Sequence, residues 1–405
     1  MSLFRLPLVF CLGALLSAPS CQARPQTATV LTGLDVLEAD SFQALAGKRV
    51  GVVTNHTGRD RAGRSIVDLL SACPQVKLAA LFAPEHGLWG KLDREYSDSS
   101  TAEGSLPVYS LYGKTRKPER RWLEGLDILV FDIQDIGTRF YTYSTTLALC
   151  MQATAEADIE VLVLDRPNPI GALSVEGPVL EKALCGNFIA YYPIPVRHGL
   201  TLGELAELYN TEFGIGAKLN VVKMQGWSRG MLWDDTGLTW VNPSPNMRSP
   251  RAALLYPGLG IAEATNLSVG RGTEAPFEIY GAPWITSPGL ADSLNAAGLI
   301  GVIFSDTTFI PVDYVFKGQA CRGVRATVTD PGRFESLKAG LTLLATVERL
   351  YPEKFEMKKI DLWIGRQDVK ERLQKGEAVE SIIQSWQPEL ERFKATRTKY
   401  LLYPD

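Results

Sequence analysis

The chain's three histidines, His56, His86 and His198, each lie in a short polar motif at or just after an apolar run. The motifs at such run ends are Asn55-His56-Thr57-Gly58, Ala83-Pro84-Glu85-His86-Gly87, Asp132-Ile133-Gln134-Asp135-Ile136-Gly137-Thr138-Arg139 and Asp165-Arg166-Pro167-Asn168-Pro169, with Arg197-His198 later in the chain. Glu85 is the first candidate for proton transfer. Ala83, Pro84, Leu88 and Trp89 can partly desolvate its carboxyl, and desolvation raises a carboxyl pKa toward the range in which it carries a proton near neutrality. The competing reading is a carboxylate that caps a turn or pairs with an arginine. His86 would either orient Glu85 or bind a substrate hydroxyl.

The stretch from Asp132 to Tyr143 supplies two carboxylates, Gln134, Arg139, Tyr141 and Tyr143. That mixture of donors, acceptors and stacking surfaces is what a pyranose ring needs. Asp132 and Asp135 are therefore candidates for the second acidic role, although Asp132, ending a strand, could equally fix a loop by accepting backbone N–H groups. Arg139 offers a planar fork suited to a carboxylate or to an ion pair with Asp135. Further along, Asn266-Leu267-Ser268-Val269-Gly270-Arg271-Gly272-Thr273 is a glycine-rich polar loop that can approach a ligand closely or simply turn. It lacks the lysine of a phosphate-binding loop. Three histidines beside carboxylates also admit a metal-dependent hydrolase, but no helical i, i+4 pairing supports one. There is no GxSxG elbow, HExxH or catalytic-cysteine signature.

These motifs need a scaffold that collects strand ends. From Gly33 to about Lys223, strand-like runs (Arg49 to Thr54, Lys77 to Phe82, Ile128 to Phe131, Val161 to Leu164, Leu219 to Val222) alternate with helical stretches (Ser65 to Ser71, Tyr143 to Ala157, Leu202 to Phe213). Such alternation predicts a mainly parallel sheet covered by helices, and open sheets of this kind bind ligands beyond the carboxyl ends of their strands. Thr201 with Glu204 forms a capping-box pattern. The expected fold is α/β: a Rossmann-like domain over residues 30–245, then a smaller α+β domain over 246–405, divided at the Pro- and Asn-rich stretch from Asn242 to Arg251. The nearest dinucleotide fingerprint, Gly258-Leu259-Gly260, has Glu263 where the third glycine belongs, so no nucleotide cofactor is expected. The helical pattern from Ser381 to Arg397 predicts one closing amphipathic helix.

At 405 residues, with 45% hydrophobic and 21% charged composition, the chain suits two ordinary cores. A net charge of −3 without basic runs removes the footprint of nucleic-acid binding. The start of the chain, with Arg5, an apolar run from Leu6 to Leu16 and small residues before Cys21, predicts a secretory leader over residues 1–21. Cys21 stands where a lipoprotein cysteine would, with Ala18 in place of the usual leucine. The expectation is therefore an exported protein, periplasmic, lipid-tethered at Cys21, or secreted. Cys73, Cys150, Cys185 and Cys321 show no CxxC spacing and are expected to be largely buried and unpaired.

Taken in order, Val53-Thr54-Asn55-His56-Thr57-Gly58, Phe82-Ala83-Pro84-Glu85-His86-Gly87, the Asp132 to Arg139 segment, Asp165-Arg166-Pro167-Asn168-Pro169 and the Asn266 to Thr273 loop resemble the NamZ-type exo-β-N-acetylmuramidases of glycoside hydrolase family 171. The likeness runs through nearly the whole chain after the leader, to the closing Tyr400-Leu401-Leu402-Tyr403. It implies release of terminal N-acetylmuramic acid from the non-reducing end of peptidoglycan fragments, a cleft between the two domains, no metal or organic cofactor, and Glu85 as acid/base. Glycoside cleavage passes through an oxocarbenium-like state that needs a proton donor and a nearby negative charge or nucleophile. The second role falls to Asp132, Asp135 or the substrate's own acetamido group. Muramic acid carries a lactyl carboxylate, for which Arg139 and Arg271, then Arg197, are the candidate readers. Asn55, His56, His86, Gln134, Tyr141, Asn168, His198 and Asn266 complete the expected sugar-binding set. A non-catalytic muropeptide-binding envelope protein would share all of these features.

Overall fold

The computed structural model describes residues 29–90, 106–286 and 289–405; the leader and Cys21 lie outside them. Strands β1 (Arg49–Thr54), β2 (Lys77–Ala83), β3 (Val108–Ser110), β4 (Ile128–Asp132) and β5 (Glu160–Leu164) pair in parallel. A short antiparallel pair, β6 (Glu176–Val179) and β7 (Pro195–Arg197), precedes the last parallel strand, β8 (Lys218–Val222). The resulting sheet has the order β3-β2-β1-β4-β5-β8. The five anticipated strands are all present. The sequence reading lacked β3, which is three residues long, half-buried, and lies at the sheet edge.

Alternation along each strand sends successive side chains to opposite faces. Val50, Val52, Ile128, Val130, Leu162 and Leu164 pack with Leu34 and Leu37 of α1 (Gly33–Ala39) and Ile66 and Leu70 of α2 (Ile66–Ser71). Their odd-face neighbours Val53, Leu129, Phe131, Val161 and Val163 join the main core. There they meet a short α3 (Arg120–Leu123), then Leu147 and Met151 of α4 (Tyr143–Ala157) and Leu205 and Leu208 of α5 (Leu202–Glu212). Both faces are buried, so the strands read as unbroken apolar runs. The expected capping box starts α5: Thr201 Oγ1 accepts from Glu204 N, and Glu204 accepts from Thr201 N.

After residue 249 the chain enters α6 (Pro250–Leu259), then an antiparallel sheet of β9 (Ile279–Ala282), β10 (Val302–Phe309) and β11 (Cys321–Val328). This sheet and its helices α7 (Leu290–Ala296) and α8 (Ser336–Leu350) form the smaller α+β part. The glycines that resembled a nucleotide fingerprint serve packing. A β-carbon on Gly258 would sit 1.7 Å from Ser336 O, and one on Gly340 2.2 Å from Gly258 O, so α6 and α8 touch backbone to backbone. Shorter helices α9 (Ile360–Ile364) and α10 (Val369–Gln374) follow. The single closing helix expected from Ser381 to Arg397 is in fact two, α11 (Val379–Gln384) and α12 (Gln387–Arg397), with Trp386 between them. Pro388 explains the break: it has no N–H to continue a helix and suits the first turn of a new one. The four later cysteines are free, as expected. No helix among the described residues is long and apolar enough to cross a membrane.

Candidate active site

The order of the sheet reverses between β1 and β4, and the polar motifs gather beyond the carboxyl ends of those strands and of β2. Glu85 lies in the turn after β2, half-buried, and the hydroxyl of Thr142 donates to its Oε2 at 2.5 Å. Trp89 does not cover it as expected, being 71% exposed. Thr142 directly precedes α4, so the turn after β2 and the start of α4 meet at this carboxyl.

A wall of tyrosines continues from Thr142. Tyr141 and Tyr143 pack edge to face with centroids 5.2 Å apart, and Tyr141 meets Tyr256 of α6 at 6.0 Å. The Tyr143 hydroxyl accepts from Asn55 Nδ2 at 3.0 Å and donates to Pro243 O at 2.7 Å. The buried Tyr141 hydroxyl faces Ser244 without the geometry of a completed hydrogen bond. Burial pushes all three phenols far up, so they act here only as neutral donors and acceptors.

His56 Nε2 donates to the carbonyl of Asn242 at 2.6 Å, which anchors the turn after β1 to the inter-domain stretch. Burial lowers its pKa, favouring the neutral ring and hence a proton on Nε2 facing that carbonyl. Gly90 packs on this ring, where a β-carbon would come within 2.0 Å. His86 adopts a left-handed backbone, φ 72°, and lies close enough for its charge to oppose that of His56.

The second part of the chain supplies the facing wall. Glu263 Oε1 lies 2.7 Å from Arg271 Nε, and the Tyr256 hydroxyl lies 3.1 Å from Glu263 Oε2. The Arg271 guanidinium stands over the rings of Phe277 and Tyr314, at 5.5 and 5.1 Å. Tyr314 in turn accepts from Asn246 at 3.2 Å. Burial raises the Glu263 pKa, and Arg271 and Tyr256 oppose the rise. Glu263, Tyr256, Ser244, Asn246, Tyr314 and Thr142 were absent from the expected set. Thr142 lies within the Asp132 to Tyr143 stretch without a signal of its own; the others come from α6 and the turn after it, the linker, and the loop between β10 and β11.

Several expected site residues are structural instead. Asp132 is wholly buried and gripped by Arg166, with Nε to Oδ1 at 2.6 Å and Nη2 to Oδ2 at 2.9 Å. Burial pushes its pKa up and the guanidinium opposes it, so its charge is spent inside the protein. Asp135 accepts from Gly137 N at 2.7 Å, and burial drives its pKa to about 7. Arg139 is no carboxylate reader and makes no pair with Asp135. It donates to Leu362 O and Trp363 O at 3.2 and 2.7 Å, closing the carbonyl end of α9. Arg197 pairs with Glu176 at 2.6 Å and holds Ile170 O.

His198 is fully buried, its Nδ1 accepting from Leu200 N, and burial takes its pKa to about 3. Asn168 bonds Leu200 O and Ile170 N, and Asn266 bonds Lys354 O and Glu356 N, so both fix loops. Gln134 donates to Asp135 O and Pro167 O. His198 is thus committed to Leu200, and among the described residues no group of three His, Cys, Asp or Glu side chains is placed to hold a metal. A cavity of about 230 Å³ over the reversal point is lined by Thr57, Arg59, Arg61, Gln134, Arg166 and Trp233 among others. Glu85, Tyr141, Glu263 and Arg271 do not line it.

Two family models match end to end, the N-terminal model of exo-β-N-acetylmuramidase NamZ over residues 50–251 and its C-terminal model over residues 254–403. The chain belongs to this family. It is 46% identical to the peptidoglycan β-N-acetylmuramidase NamZ of Bacillus subtilis strain 168, over 96% of this chain and 95% of that protein. Two crystal structures of DUF1343 family proteins from Bacteroides fragilis NCTC 9343 share the architecture. One has a TM-score of 0.87 at 39% identity, the other 0.75 at 28%; they cover 94% and 93% of this chain and all of their own. The resemblance, the glycoside hydrolase class and the Rossmann-like fold with a smaller second domain are as the sequence led us to expect.

Proposed function

We propose that this protein is an exo-acting glycoside hydrolase that removes terminal N-acetylmuramic acid from the non-reducing end of peptidoglycan fragments, with Glu85 as its acid/base. The observation that carries the reading is the Thr142-oriented carboxyl of Glu85, at the exit of β2, among Tyr141, Tyr143, Glu263 and Arg271. The kinship with a peptidoglycan β-N-acetylmuramidase supports the substrate class.

In this mechanism the Glu85 carboxyl gives its proton to the glycosidic oxygen, and the bond from that oxygen to the anomeric carbon breaks with its electron pair leaving on oxygen. The oxocarbenium-like sugar is trapped by water, whose proton returns to Glu85. Neutral tyrosine hydroxyls and Asn246 suit sugar hydroxyls. Of the three candidate readers of the lactyl carboxylate, Arg139 and Arg197 are consumed internally, which leaves Arg271, whose side chain is 31% exposed. Arg271→Lys keeps charge beside Glu263 but loses the planar fork. It should weaken a muramyl glycoside more than the matching glucosaminide.

The test is turnover of an unmodified muramyl-glucosamine disaccharide and of a chromogenic muramide by wild type and Glu85→Gln. Release of free muramic acid by wild type, with a loss of about 10²- to 10⁴-fold on the disaccharide in the variant, is expected. Binding without turnover would make the protein a muropeptide-binding envelope component instead. We further infer export through the leader and lipid attachment at Cys21, testable by labelled palmitate incorporation that Cys21→Ser abolishes.

A further inference from the structure

We propose that Glu263 is the second carboxylate of the site, the fixed negative charge that stabilises the sugar cation while Glu85 handles the proton. The inference rests on the glycosidase reading above and assigns the role that Asp132 and Asp135 do not fill. Asp132 is wholly buried beneath a two-point grip from Arg166, and Asp135 is buried with Oδ2 held by Gly137 N, whereas the Glu263 side chain keeps part of its surface exposed.

A continuous path of contacts joins Glu263 to the acid. Glu85 bonds Thr142, whose neighbour Tyr141 packs on the Tyr256 ring, and the Tyr256 hydroxyl reaches Glu263. The two carboxylates are close enough for their charges to oppose each other. One comes from the parallel-sheet part and the other from the segment following α6, so a sugar seated against Tyr141 meets an acid from each side of the domain junction. Glu263 is also held firmly. Arg271 fixes Oε1, and its guanidinium is itself flanked by Phe277 and Tyr314.

The loop carrying Arg271 is set by glycines that no other residue can replace: Gly272 has φ 77°, and a β-carbon there would lie 2.6 Å from Asp313 N. A charge fixed in this way needs no reorganisation as the cation develops, which is what makes such groups effective in catalysis. Glu263 forms no bond in this scheme. The electron pair of the breaking bond goes to the leaving oxygen, and water closes the cycle.

The experiment compares Glu263→Gln and Glu85→Gln on two substrates: the muramyl-glucosamine disaccharide, whose leaving group needs a proton, and a nitrophenyl muramide, whose leaving group does not. Glu263→Gln should lower kcat about 10²- to 10³-fold on both substrates, with KM and melting temperature near wild type. Glu85→Gln should be impaired mainly on the disaccharide. Formate should partly restore turnover to Glu263→Ala by returning a negative charge. Near-wild-type kcat in Glu263→Gln, or a loss confined to KM and melting temperature, would overturn the proposal while leaving the glycosidase reading intact. Absence of turnover by wild type on both substrates would instead overturn that reading, and this inference with it.

Discussion

His198→Asn should flatten the acid side of the protein's stability profile. The ring is fully buried, its Nδ1 accepts from Leu200 N at 3.2 Å, and Nε2 has no hydrogen-bond partner among the described residues. Burial, then the charges of Arg397, Arg139 and Arg197, lower its pKa from 6.5 to about 3. The unfolded chain therefore binds a proton that the folded chain refuses between these values. This stabilising contribution is fully present above the unfolded pKa and is lost as pH falls toward the folded one. Linkage makes the loss ~2 kcal/mol on going from neutrality to about pH 5, and ~5 kcal/mol below about pH 3.

Asp135 and Asp165, with pKa values driven to about 7 and about 6 by burial, run the other way. Their contributions are present at low pH and are lost as pH rises through those values. The His198 effect is thus read as a difference between variant and wild type. Urea titrations at about pH 5 and at neutrality should show the wild type losing ~2 kcal/mol more than His198→Asn. Parallel losses in the two proteins would mean that the buried ring is not what resists protonation.

Arg166→Met should cost about 3–5 kcal/mol, because it leaves the Asp132 carboxylate buried and unpaired; an urea midpoint shift worth under about 1 kcal/mol would show that Asp132 simply takes up a proton at little cost. Gly340→Ala should destabilise by at least about 1–3 kcal/mol by forcing α8 off Gly258, and an unchanged melting temperature would contradict the close helix contact. Tyr403→Phe removes a hydroxyl that donates to Asp165 at 2.6 Å and accepts from Met224 N at 3.0 Å. Met224 N then goes unsatisfied while Asp165 Oδ2 keeps only the bond from Thr201 Oγ1, and chemical denaturation should register a loss of about 1–3 kcal/mol.

The parallel sheet was legible because burial on both faces writes strands as plain apolar runs, as in Ile128–Asp132 and Glu160–Leu164. The edge strand Val108–Ser110 carries no such run. At the site, the residues at the ends of β1 and β2 were readable because chain order and sheet order bring them together. The same logic overreached at Asp132, Arg139, Arg197 and His198. A polar side chain at a strand end can face a ligand or can tie down a loop, and only its partners distinguish the two. Glu263 and Tyr314 were hidden for the opposite reason. They are brought to the site by the packing of the second domain, which leaves no local pattern in the sequence.

A crystal structure of Glu85→Gln with an unmodified muramyl-glucosamine disaccharide bound would show directly whether Glu85 faces the scissile bond. The side chain at position 85 should lie within about 3 Å of the glycosidic oxygen, with the muramyl ring between Tyr141 and Arg271. A disaccharide seated instead in the cavity beside Arg59 and Arg61, with its glycosidic oxygen out of reach of position 85, would contradict it.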